Sequence, residues 1–157
     1  MNLYVICDIS GSMSEDEKRL ITRGVTLAVG QYYRLGYCKG EVKLVSWNNE
    51  ARIVEWLPED EYPREMLDCK GVVNAESLIE LLGGRIDGKV LLITDGFWTR
   101  DVETALKRWK NTQLPDTLRI INIGADANNY LEGKGFNVFS AEDLFAALDG
   151  WVERGVA

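Results

Sequence analysis

Two carboxylates stand at the ends of apolar runs, and the first has the polar company that a small hard cation needs. The run Tyr4-Val-Ile-Cys7 ends in Asp8, and Asp8-Ile-Ser10-Gly11-Ser12 places two hydroxyls at two-residue steps beyond the acid. The run Val90-Leu-Leu-Ile-Thr94 ends in Asp95-Gly96. Asp and Ser oxygens suit Mg²⁺ or Mn²⁺, and a Mg²⁺ site keeps several waters while taking one or two protein carboxylates. Gly11 lets the loop fold tightly where a Cβ would crowd it. Asp8, Ser10, Ser12 and Asp95 are therefore the candidate metal ligands. The chain has no histidine, which removes Ser-His and Cys-His nucleophiles and histidine-ligated zinc.

These residues need a scaffold that brings two strand ends together. Asn2 to Cys7 and Lys89 to Thr94 are continuous apolar runs, the mark of strands covered on both faces. Leu118 to Ile123 is a third. Ser14 with Glu17 forms a capping box, and Ile21, Val25, Ala28, Tyr32 and Leu35 recur at three- and four-residue steps to make a helix ending near Gly36. Val42 to Trp47 and Ala51 to Leu57 alternate about an Asn48-Asn49-Glu50 turn, a hairpin pattern. Pro58 to Pro63 is a loop. Ala75 to Leu82 reads as a helix closed by Gly83-Gly84, Val102 to Trp109 as another, and Ala141 to Arg154 as a last one capped by Ser140. A Gly-Lys-Gly turn within Tyr130 to Phe139 leads into a short terminal strand. Strands alternating with helices predict a single α/β domain over 1–157. Its fold is Rossmann-like and doubly wound: a mostly parallel sheet with one antiparallel edge strand and helices on both faces. In such sheets ligands sit at the carboxyl ends of the strands, where Asp8 and Asp95 emerge.

Composition narrows the function. A net charge of -7 argues against nucleic acid as a partner. Apolar runs too short to span a bilayer argue against a membrane. Three cysteines without metal-like spacing, and a start directly in a strand, predict a cytoplasmic protein with free thiols and no signal peptide. The acidic stretch from Glu55 to Asp68 reads as a solvated face. Trp47, Trp56, Trp109 and Trp151 fall at inward positions.

The Asp-x-Ser-x-Ser loop, the distant Ile-Thr-Asp-Gly and the order of strand, helix and hairpin resemble the von Willebrand factor A (VWA) family across nearly the whole chain. The resemblance implies a metal-ion-dependent adhesion site. There the two serines touch Mg²⁺ (or Mn²⁺), the aspartates act largely through water, and a partner protein's Asp or Glu completes the coordination. It also implies an interaction module rather than an enzyme. The intracellular members it resembles often work with AAA+ ATPases of the MoxR type or in bacterial stress-response complexes. One departure stands out: the family's third loop offers Gly-Thr-Asp or Gly-Thr-Asn, whereas this chain has Gly71-Val72-Val73-Asn74. Val73 replaces a ligating threonine with a side chain of equal bulk and no oxygen. Gly11, Val73, Asn74 and Trp98 are the residues expected to face the partner. Trp98 reads either as a contact anchor or as packing over a helix start, and Asp126 either as a further upper carboxylate or as a helix cap.

Two other readings remain. One is a metal-free structural subunit with a decayed site. The other is an aspartate-based phosphotransfer enzyme, for which the acid/base Asp expected two residues after the nucleophile is Ser10. Neither a G-x-x-x-x-G-K-[ST] phosphate loop nor a dinucleotide G-x-G-x-x-G is present.

Overall fold

Strand β1 (Asn2–Asp8) buries every residue from Val5 to Asp8, and it lies inside the sheet with a parallel neighbour on each side. The computed structural model describes residues 1–124 and 129–152. Its six strands run β3-β2-β1-β4-β5-β6. The other strands are β2 (Glu41–Trp47), β3 (Ala51–Val54), β4 (Gly88–Thr94), β5 (Leu118–Asn122) and β6 (Asn137–Ser140). All neighbouring pairs are parallel except β2 with β3, so the hairpin supplies the antiparallel edge strand.

Alternating side chains of the buried strands feed two cores. Leu3, Val5, Cys7, Leu91, Ile93 and Ile121 meet α1 (Lys18–Arg34) and α4 (Leu144–Leu148) on one face. Ile6, Val45, Val90, Leu92 and Ile120 meet α2 (Ala75–Leu82) and α3 (Arg100–Asn111) on the other. Trp47, Trp56, Trp109 and Trp151 are all buried, as their inward positions predict. Cys7, Cys38 and Cys69 are free thiols. Among the described residues no helix is long and apolar enough to cross a membrane.

Four local expectations differ from what forms. Helix α1 begins at Lys18 with Glu17 as its cap and no side-chain cap bond; the Ser14 hydroxyl donates to the Gly11 carbonyl instead (2.7 Å). Its buried face runs through Lys18, Thr22, Val25, Thr26, Val29 and Tyr33, while Ile21 and Leu35 are exposed. Thr22 and Thr26 can turn inward because each hydroxyl donates to the carbonyl four residues back, at 3.0 and 2.9 Å. Strand β3 stops at Val54. Beyond it Trp56 turns under α1, where a Cβ on Gly30 would come 2.8 Å from the indole. Finally, α4 ends at Leu148 because Asp149 is extended and Gly150 is left-handed (φ 74°).

Candidate binding rim at the carboxyl edge of the sheet

Register decides which groups meet at the top of the sheet. Cys7 pairs with Ile93, so the next residues along, Asp8 and Thr94, stand at one level. The Thr94 hydroxyl donates to Asp8 Oδ2 at 2.6 Å, and the Ser10 backbone N–H donates to Oδ1 at 2.9 Å. Thr94 Oγ1 also accepts from the Gly96 N–H and the Trp98 indole N–H, both at 3.1 Å. This buried hydroxyl ties the ends of β1 and β4 together. Burial pushes the Asp8 carboxyl up to about 6 against the bonds from Ser10 and Thr94, and the charge of Asp95 pushes the same way.

Ser10 and Ser12 lie in the loop after β1 with their hydroxyl oxygens 3.4 Å apart. The loop before α2 is laced to it: Lys70 N–H donates to the Ile9 carbonyl at 2.8 Å, and Gly11 N–H to the Gly71 carbonyl at 2.9 Å. Gly11 thus places its backbone against the third loop. Val73 is half-buried and packs on the α2–α3 core. Asn74 caps α2, its side chain accepting from Ser77 N–H at 3.0 Å while its carbonyl accepts from the Trp47 indole at 2.8 Å. Asp126 lies outside the described residues.

Asp95 has a partner that the sequence pattern does not suggest. Lys18 Nζ stands 3.1 Å from Asp95 Oδ2, and the two side chains are 0% and 1% exposed. The other oxygen, Oδ1, accepts from Phe97 N–H at 3.2 Å. The Phe97 ring covers the ammonium at 5.1 Å from its centroid, and Phe97 itself is 50% exposed. Trp98 sits lower, half-buried edge-on to Trp47 and Phe136 at 6.0 Å each. Of the two adjacent aromatics, Phe97 is the one that faces outward.

Beyond the Ser10 and Ser12 hydroxyls, the donors expected of a divalent-ion site are engaged elsewhere. Both Asp8 oxygens accept hydrogen bonds, one Asp95 oxygen faces an ammonium, Asn74 is spent as a cap, and Val73 offers no oxygen. Lys18, Thr94 and Phe97 are the rim residues that sequence reading missed. The one available signal was the four-residue step from Lys18 to Thr22 and on to Thr26 along the true inner face of α1.

No protein-family model and no curated protein matches the chain by sequence. Solved structures do match. A von Willebrand factor type A protein from Catenulispora acidiphila superposes with a TM-score of 0.60 over 91% of this chain at 16% identity, the match spanning 39% of that protein. The manganese-loaded TRAP protein of Plasmodium vivax gives 0.62 over 98% of this chain and 74% of that one, at 14% identity. BatB of Bacteroides thetaiotaomicron gives 0.59 over 93% and 94%, at 10% identity. The fold is that of a VWA-type domain, and its structural neighbours include a metal-loaded member.

Proposed function

We propose that this chain is a protein-interaction module that docks a partner protein on the rim formed by residues 8–14, 71–76 and 95–99. The observation that carries this reading is the lacing of the rim. Backbone bonds from Lys70 and Gly11, and the Thr94 hydroxyl, hold three loops as one preorganised surface. From it project the exposed side chains of Val72 and Phe97. A rigid surface with an apolar anchor loses little entropy on binding. The VWA-type fold of its neighbours supports the same role. No reacting group is assigned: Asp8 is buried with both oxygens bonded, and burial pushes the Cys7 thiol up to about 11. A cytoplasmic AAA+ ATPase of the MoxR type is the partner class that resemblance to intracellular VWA proteins suggests. The Mg²⁺- or Mn²⁺-dependent form of the contact, with a partner Asp or Glu, is the second reading. The adjacent Ser10 and Ser12 hydroxyls favour it.

Quantitative binding to a purified candidate ATPase, with and without EDTA, tests both. Phe97→Ala is expected to weaken binding about tenfold or more, as loss of an anchor does. Leu114→Ala, an exposed control just before the start of β5, is expected to leave it unchanged. Equal loss in both variants moves the interface elsewhere, and loss on adding EDTA selects the metal-dependent form.

A further inference from the structure

We propose that Lys18 is the resident cation of this rim. Its ammonium supplies to Asp95 the positive charge that the fold family draws from a divalent ion, so the rim is built to work without Mg²⁺ or Mn²⁺. The inference concerns the charge inside the rim and holds whether or not the rim docks a protein.

Four independent features converge on it. The first is the pair itself, at 3.1 Å with 0% and 1% exposure, since a buried lysine persists only where a carboxylate or equivalent partner compensates it. The second is how the backbone delivers it. Asp16 and Glu17 are both left-handed, with φ of 50° and 61°, a conformation costly for residues other than glycine. These two residues turn the chain from the short helical turn at Gly11–Ser14 into α1, and they set Lys18 as its first, inward-facing residue. The third is Phe97, whose ring lies over the ammonium at 5.1 Å and shields the pair from water. The fourth lies in the other positions, where Val73 is packed into a core and Asn74 is bonded as a cap. A divalent ion placed beside Asp95 would be repelled by the ammonium already there, in surroundings that screen charge poorly.

The substitution follows from charge balance. Two buried carboxylates side by side need a compensating cation or a proton. One fixed monovalent ammonium balances Asp95, and Asp8 is stabilised by hydrogen bonds from Ser10 and Thr94. Removing the ammonium should therefore restore the demand for a metal. Lys18→Met removes the charge at nearly constant length and leaves the carboxylates and the serine hydroxyls in place.

The experiment compares thermal melting and Mn²⁺ binding, read by paramagnetic resonance of the free ion, for the full chain and its variants. For the unsubstituted protein no saturable shift with Mg²⁺ or Mn²⁺ is expected beyond a matched ionic-strength control. Lys18→Met is expected to melt lower in EDTA and to gain about 3–5 °C at ten times its Mn²⁺ dissociation constant. Adding Ser10→Ala to it should remove that gain. The double variant Lys18→Met/Asp95→Asn, which removes both charges, is expected to fold and to ignore metal, so the comparison survives if the single variant does not fold. Saturable Mn²⁺ binding by the unsubstituted protein that Ser10→Ala abolishes would overturn the proposal. So would a folded Lys18→Met that takes up no Mn²⁺, or a double variant that binds it as tightly as a metal-loaded site.

Discussion

The two ends of the sheet each carry a cation paired with an aspartate under an aromatic ring, and they differ in the solvent around them. At the carboxyl edge, Lys18 and Asp95 are 0% and 1% exposed. At the opposite edge, Arg119 and Asp116 meet at 2.8 Å with 15% and 41% exposed. Arg119 has further support: it donates to the Ala147 carbonyl at 2.7 Å and lies over Trp151 and Phe139 at 4.9 and 5.1 Å. The contact chemistry is similar, but the energetics are not. An exposed pair is worth little because water serves either charge nearly as well. A buried pair is not a large net stabiliser either, yet breaking it leaves a buried charge without its ion-pair partner.

The largest expected effect follows from that asymmetry. Lys18→Met and Asp95→Asn should each cost about 3–5 kcal/mol of folding free energy, and the double variant much less than the sum. Urea unfolding of the four-member cycle checks this. The comparison breaks if Lys18→Met costs no more than the loss of Asp116.

The second effect is a pH slope of opposite sign at the two ends. Burial, opposed by Ser10 and Thr94, raises the Asp8 carboxyl from 3.8 to about 6. The folded state then holds a proton that the unfolded chain has lost, so the associated stability is full below pH 4 and fades as pH rises through 6. Two units correspond to roughly 3 kcal/mol at most. At Asp116, burial pushes the carboxyl up, but the bonds from Arg119 and Asn137 and the charges of Arg119 and Lys89 outweigh it and hold it low. Its contribution is present above the ordinary carboxylate value and is lost as pH falls. Urea midpoints between pH 4 and 7 should therefore fall with rising pH in the parent protein. They should flatten in Asp8→Asn; an unchanged slope in that variant would assign the titration to another group.

What the sequence reveals at each end depends on how local the physics is. The sheet and its edges were legible because uninterrupted apolar runs and turn residues report burial over a few neighbours. The carboxylates at strand ends were legible for the same reason. Lys18 was not, because its partner Asp95 lies 77 residues away and a charged residue at a helix start ordinarily faces solvent. The inner face of α1 lies about one position beyond the apolar pattern, since Thr22 and Thr26 look polar until their hydroxyls are matched to helical carbonyls. Strand β3 is shorter than the alternation predicts because Trp56 suits an alternating strand as well as the place beside Gly30 that it fills. Phe97 and Trp98 are adjacent aromatics that composition cannot rank; the indole N–H bond to Thr94 sends one inward and leaves the other outside.

The smallest expected effect is the most discriminating at the exposed end. Asp116 is left-handed, with φ of 59°, a conformation that Asn tolerates as well as Asp. Its main-chain carbonyl accepts from the Trp151 indole at 2.6 Å, a bond independent of the side chain. Asp116→Asn therefore removes a charge while keeping the turn, the backbone bond and the stacking of Arg119 on its two rings. The expected loss is under about 1 kcal/mol, and most of it should vanish at high salt, where exposed pairs are screened. Asp116→Ala should cost more, since alanine adds left-handed strain that salt cannot relieve. If instead Asn and Ala were equally costly and insensitive to salt, Asp116 would be acting as a buried charge, and the contrast with Lys18–Asp95 would lie in something other than solvent.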